Sequence, residues 1–330
     1  MVLRCVLVLG ILCSLLVAVP LYAANLSFGT EMTGMGGAGV ALTKDVYAAV
    51  WNPAGLARVN RFSIEPNLSF YTDYTDQPAV LRDLVDNHFS GAELPTEPLH
   101  FEAGGMAGFA TPRFAINMGG QALGFKTPSA EAASYHAEGV LVYNSKISMA
   151  LPLPILGRTL AVGTTFNYYA AQKYEARLDR DFACLDYRFN PAGTGRSLDV
   201  GAQIDLAGNL RVGCVARNIR GNFKWDQDDL VSFVQPVTPT YQAGIGWDGR
   251  NLRAAFDWEW NEDDLRRYRI GLAKDFWRVF TVRVGGIIEP EAEPTYTGGF
   301  SLRLGALSLN LAAANQADAW RATVSMALNM

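Results

Sequence analysis

Three groups of residues in this 330-residue chain have types and spacings that could do chemistry. The first is Gly34-Met35-Gly36-Gly37-Ala38-Gly39, a formal match to G-x-G-x-x-G. Glycine amides in that pattern cradle a dinucleotide pyrophosphate when a strand precedes them, a helix comes after and an acid lies about 20 residues on. Here Asn52-Pro53 interrupts the downstream stretch, and no acid lies between Asp45 and Glu65. The pattern instead suits backbone that must pack in a narrow space. The second group is a set of arginines in strand-like stretches. Arg211, Arg253, Arg283 and Arg303 fall toward one end of their strands, and Arg217, Arg269 and Arg321 toward the other. The acids Glu65, Asp73, Glu102, Asp199, Asp205, Asp257 and Glu259 are interleaved with them. Two chemistries fit: an ion-paired interior that anchors other chain, or bidentate capture of an anionic head group. The third group is sparse. His88, His100 and His136 form no ligand-spaced pair, and no Gly-x-Ser-x-Gly occurs. The pattern argues against an enzyme, a metal and a cofactor.

The elements that would position these groups are strands. Period-2 alternation sets Phe62, Ile64, Leu68 and Phe70 against Ser63, Glu65, Asn67 and Ser69. It sets Leu252, Ala254, Phe256 and Trp258 against Arg253, Ala255 and Asp257, and Val282 and Val284 against Thr281 and Arg283. Strands are expected near 61–75, 99–111, 113–126, 137–151, 159–174, 196–207, 209–220, 239–247, 250–260, 267–275, 279–289, 295–304, 306–314 and 319–330. Alternate joints are tight, whereas 76–98, 176–195 and 221–238 read as long polar loops, with a short helix over Pro78–Phe89. Many strands of about ten residues, with tight turns on one side and long loops on the other, predict an all-β, membrane-spanning antiparallel barrel of about 14 strands. Both termini then lie in the periplasm. Aromatics near strand ends, including Tyr71, Trp247, Trp258, Trp260, Tyr268 and Trp320, fit an interfacial girdle.

Residues 1–24 read as a signal peptide: Arg4, then an apolar run, then Pro20 and the small residues Ala23 and Ala24. No later stretch is apolar and long enough to span as a helix, so a mature chain in a membrane must span as a closed barrel. The net charge of −4 and the absence of any Lys/Arg run give no case for nucleic acid. Cys184 and Cys214 remain after cleavage; they could form a disulfide, or Cys214 could be a small lipid-facing residue. Residues 25–60 are small-residue-rich and nearly uncharged, and read as an N-terminal hatch, or plug, inside a barrel formed by 61–330. Asn52, with Pro53 and Ala54 after it, should be held by several polar partners. The inward arginines are placed to bind plug carbonyls or to pair with Asp45.

The stretch Gly34–Ala41, with Asp45 and then Trp51-Asn52-Pro53-Ala54-Gly55-Leu56, resembles the FadL superfamily of outer-membrane channels, and most closely its compact PorV-like and TraF-like branches. The resemblance implies an N-terminal hatch within a fourteen-stranded barrel and passive movement of fatty acids or other hydrophobic molecules. The compact branches imply an alternative: a barrel without transport that serves protein secretion or a transfer apparatus. The partners implied are outer-membrane lipid, a hydrophobic small molecule, or secretion-system components.

Overall fold

The computed structural model describes residues 28–72, 99–128, 134–155, 157–179, 184–225, 238–262, 265–290, 292–316 and 319–330. The signal peptide and the Pro78–Phe89 helix lie outside the described residues. Fourteen antiparallel strands form one closed barrel in chain order. They are β1 (Ser63–Thr72), β2 (Leu99–Thr111), β3 (Phe114–Pro128), β4 (Ser134–Ile155), β5 (Arg158–Asp179), β6 (Cys184–Asp205) and β7 (Leu210–Trp225). They continue as β8 (Thr240–Asp248), β9 (Leu252–Asn261), β10 (Arg266–Phe276), β11 (Phe280–Ile288), β12 (Thr295–Leu304), β13 (Leu307–Gln316) and β14 (Ala319–Asn329). Pairing of β1 with β14, from Ser63↔Asn329 to Thr72↔Trp320, closes the wall and leaves no sheet edge.

The alternation in the sequence becomes the two faces of this wall. Phe256 is 46% exposed and Val282 42%, whereas the adjacent Ala255 and Thr281 are 5% and 3% exposed. The exposed face is apolar around the barrel: Ile64, Leu68, Met118, Ile147, Phe166, Ile245, Ile270, Val284, Leu311 and Val324 all lie on it. The other face carries Asn117, Asp199, Gln203, Asp257, Arg269, Arg283 and Asn310, all buried. Apolar outside and polar inside, with every ladder closed, is the arrangement that satisfies the backbone in a bilayer. The chain is a membrane-spanning β-barrel. Cys214 is a free thiol on the exposed face, so the disulfide reading is not what the fold shows.

Connections at one end are two to four residues long, as at Pro112–Arg113 and Gly305–Ala306. This is the turn end, where β1 begins and β14 finishes. At the other, loop end, β1–β2 and β7–β8 are joined across 73–98 and 226–239. Two expectations need correction. The stretch 176–195 is mostly strand rather than loop, because β5 and β6 pair on to Leu178↔Cys184. A register shift opposite Pro191–Gly193 breaks the alternation there, which hides the strand from a period-2 reading. Likewise β4 runs through Pro152 and Pro154 to Ile155. These prolines lie past Phe114↔Met149, where β3 stops, so no neighbouring strand needs their missing N–H.

Candidate functional site

A fourteen-stranded barrel is too wide for its own side chains to fill, unlike an eight-stranded one. Residues 28–59 pack against the inward faces of the strands and are almost entirely buried. They form a short helix Thr30–Gly34, a reversal, a second helix Ala48–Trp51 and a 3-10 helix Pro53–Arg58. Gly36 and Gly37 both have positive φ (68° and 71°), and the Gly37 amide donates back to Met32 O at 2.8 Å. That left-handed pair ends the first helix and is open to glycine at little cost. The start of the segment is tied to the end of its second helix where Trp51 Nε1 donates to Phe28 O at 2.8 Å.

The wall meets this segment with glycines. A Cβ on Gly213 would sit 2.5 Å from Val40 O, and one on Gly271 would sit 2.5 Å from Met35 O. Gly163 lies against Pro53, Gly246 against Leu42, Gly285 against Met35 and Gly36, and Gly299 against Gly34. Backbone therefore approaches backbone around much of the circumference, and the segment fits as a solid body rather than a threaded tail.

Polar contacts fix its orientation. Asn52 Nδ2 donates to Val40 O (2.7 Å) within the segment and to Ala202 O (3.2 Å) and Cys214 O (3.3 Å) on the wall. Its Oδ1 accepts from the Ala54 amide (3.1 Å), which caps the 3-10 helix that Pro53 begins. Ala54 itself is fully buried. The glycine turn does hold an anion, but the barrel supplies it: the amides of Gly39 (2.7 Å) and Val40 (2.9 Å) both donate to Asp257 Oδ2. Gln242 Nε2 donates to the same oxygen at 2.8 Å. Gln203 Nε2 donates to Val40 O and Thr43 O. Arg217 donates to the last carbonyls of the second helix, Val50 O and Trp51 O, and Arg269 to Gly36 O.

The four arginines expected toward the turn end divide. Arg211 donates to Ala41 O at 3.3 Å while paired with Asp205 at 2.8 Å. Arg283, with no exposed side-chain surface, pairs with Glu31 at 2.5 Å, and Arg253 reaches the same carboxylate at 3.4 Å. Burial works against the charge on Glu31, but Arg283 and then Arg253 hold its carboxyl down to about 2. Their acidic partner is thus Glu31 and not Asp45. Chain direction is the reason: the first helix, and not the turn after it, points its acid at β9 and β11. Arg303 is exposed and takes part in no ion pair among the described residues. Three of the four are thus committed to ion pairs and segment contacts. Sequence reasoning missed Glu31, Gln203 and Gln242 as anchors, and it placed Asp257, Arg217 and Arg269 in an interior that anchors other chain without naming what each one holds. Glu31 was findable as the first acid after the signal region.

Below the segment, at the turn end, lies a polar cavity of about 640 Å3. Glu31, Asp45, Glu65, Arg253 and Arg303 are among its lining residues. The three histidines' side chains lie outside the described residues, and among those described no three metal-binding side chains converge.

The fold and its interior define a class: a closed membrane barrel whose lumen is occupied by its own N-terminal chain. No protein-family model and no curated protein matches the sequence. Among solved structures, the chain is similar in fold to the Ralstonia pickettii toluene transporter TbuX, at 14% identity and a TM-score of 0.60 over 92% of this chain and 98% of that one. It is similar also to the P. putida toluene transporter TodX (11% identity, TM-score 0.61, 92% and 99% covered) and to the CymD monoaromatic hydrocarbon channel (12%, 0.54, 92% and 97%). A Pseudomonas aeruginosa FadL homologue matches at a TM-score of 0.51 over 91% of this chain. The resemblance in fold to these structures extends over 91–92% of the chain, well beyond the short stretch legible in the sequence.

Proposed function

We propose that the protein is an outer-membrane channel for passive transport of small hydrophobic molecules, fatty-acid-like amphiphiles among them. Residues 28–59 act as its hatch. In this reading both termini and the tight turns face the periplasm and the long loops face outward. The observation that carries it is the combination of an apolar-skinned fourteen-stranded barrel with a lumen segment, in a fold similar over most of its length to hydrocarbon channels. Asn52, Asp257 and the arginines on both sides of the segment supply the anchoring that lets the hatch control passage without the barrel unfolding.

A photoreactive fatty acid supplied to cells making the full chain tests this. Crosslinks should map to inward residues on the loop-end side of the segment, such as those around Lys146 and Tyr169. Crosslinks confined to the lipid-facing rows, around Phe256 and Val282, would overturn the transport reading. They would leave a barrel serving secretion or transfer partners as its successor.

A further inference from the structure

The segment's turn-end surface carries a charge arrangement that the anchoring contacts do not explain. Asp45 and Glu65 line the same cavity, one from the segment and one from β1. Neither makes an ion pair among the described residues. Glu65 is 5% exposed and is held only by neutral donors, Ser325 Oγ (2.5 Å) and Asn310 Nδ2 (3.4 Å). Asp45 is half-buried, and its carboxylate accepts from backbone amides, that of Tyr47 at 2.9 Å and its own. Tyr47 also joins the two sites, since its hydroxyl donates to Glu65 O at 2.8 Å. The cations that line the cavity, and the buried Arg283 behind them, are engaged elsewhere or stand in solvent. Arg283 and Arg253 are taken by Glu31, with Asp275 also on Arg253. Lys44 is taken by Asp248 at 2.7 Å. Arg303 from β12 and Arg250 from the β8–β9 turn are exposed at the cavity's mouth. From β13 and β14 come only neutral side chains: Ser308, Asn310, Ala327 and Asn329.

We propose that docking of the N-terminal segment is proton-linked through Asp45 and Glu65, which face one cavity without a cation of their own. With both carboxyls neutral the segment seats fully. With both ionised, two like charges face one cavity across the segment–wall contact and the turn-end side of the segment loosens. This holds whatever passes through the barrel, and so stands or falls apart from the transport reading.

Asp45 sets the sign. Burial, and after it the Glu31 carboxylate, push Asp45 up to about 6 from an ordinary 3.8. A carboxyl raised in the docked state takes up a proton on docking between those values. Docking is therefore strongest toward the acid side and weakens as pH rises through about 6. Glu31 opposes this only at lower pH, where its contribution is lost as pH falls from 4.5 through about 2.

Hydrogen exchange of the full chain in lipid nanodiscs reads the equilibrium directly. Peptides covering 39–59, corrected for the intrinsic pH dependence of exchange, should be about tenfold better protected at pH 5 than at pH 7.5. Peptides from β9–β11 should show no such difference. In the double variant Asp45→Asn with Glu65→Gln, protection at pH 7.5 should equal that at pH 5. The single variant Asp45→Asn, at a half-buried position, serves where the double variant assembles poorly and should shrink the difference severalfold. Equal protection of the wild type at both pH values, or an undiminished difference in Asp45→Asn, overturns the proposal.

Discussion

Single residues hold the segment by polar contacts that have no substitute nearby. Asn52→Ala removes the amide that serves Val40 O, Ala202 O and Cys214 O at once. Stranding a buried polar partner costs about 1–3 kcal/mol, which a barrel of this size tolerates and a docked segment does not. Protease cleavage within 28–59 should therefore speed up in Asn52→Ala while heat-modifiable migration of the barrel stays normal. Glu31→Gln should be more severe, because it leaves the Arg283 guanidinium buried and uncompensated. Breaking one side of such a pair costs about 3–5 kcal/mol. Glu31→Gln should lower the melting temperature of the folded barrel, and an unchanged value would show that the pair contributes nothing. At this scale the sequence was half legible. A turn at Asn52-Pro53 with an amide in need of partners can be read from the residues alone. Which acid meets Arg283 cannot, since Glu31 and Asp45 both lie in the segment and only its path through the lumen decides between them.

Elements obey the parity of the wall. Val282→Arg puts a charge on the lipid face and should cost about 2–4 kcal/mol near the midplane, seen as loss of assembled barrel. Thr281 is a poor inward control, because it is 3% exposed and its hydroxyl donates to Asp275 at 2.6 Å. Ser308, which faces the turn-end cavity, has room, so Ser308→Arg should assemble at nearly the wild-type level. Equal loss in both would mean that the two faces are not as different as their exposures. Glycines make the same point by packing. Gly213→Ala drives a methyl onto Val40 O and should displace the segment, whereas Gly298→Ala meets nothing nearer than Arg283 O at 3.9 Å and should be silent. Protease sensitivity of residues 28–59 separates the two. Strand existence and facing were readable because a bilayer enforces period 2. Strand ends were not readable where that enforcement stops, as in β4–β6, or where a bulge breaks it. On β7, Asn218 and Arg220 take positive φ (57° and 53°) at two register shifts, and the Asn218 amide donates to Asp199 at 2.7 Å. The match of wall glycines to the segment was invisible for a related reason: it depends on register between strands far apart in the chain.

The whole molecule is an apolar-skinned cylinder with a polar, ion-paired interior and a segment seated on backbone contacts. The proposed channel for hydrophobic molecules makes a claim that two uptake rates test together. Cells deficient in other routes for hydrophobic compounds, and making the full chain, are given a radiolabelled fatty acid or toluene and, separately, a labelled disaccharide. The account predicts a faster initial uptake of the hydrophobic compound and an unchanged rate for the sugar. A hydrophobic uptake no faster than in cells without the protein, or an equal rise for the sugar, would contradict it.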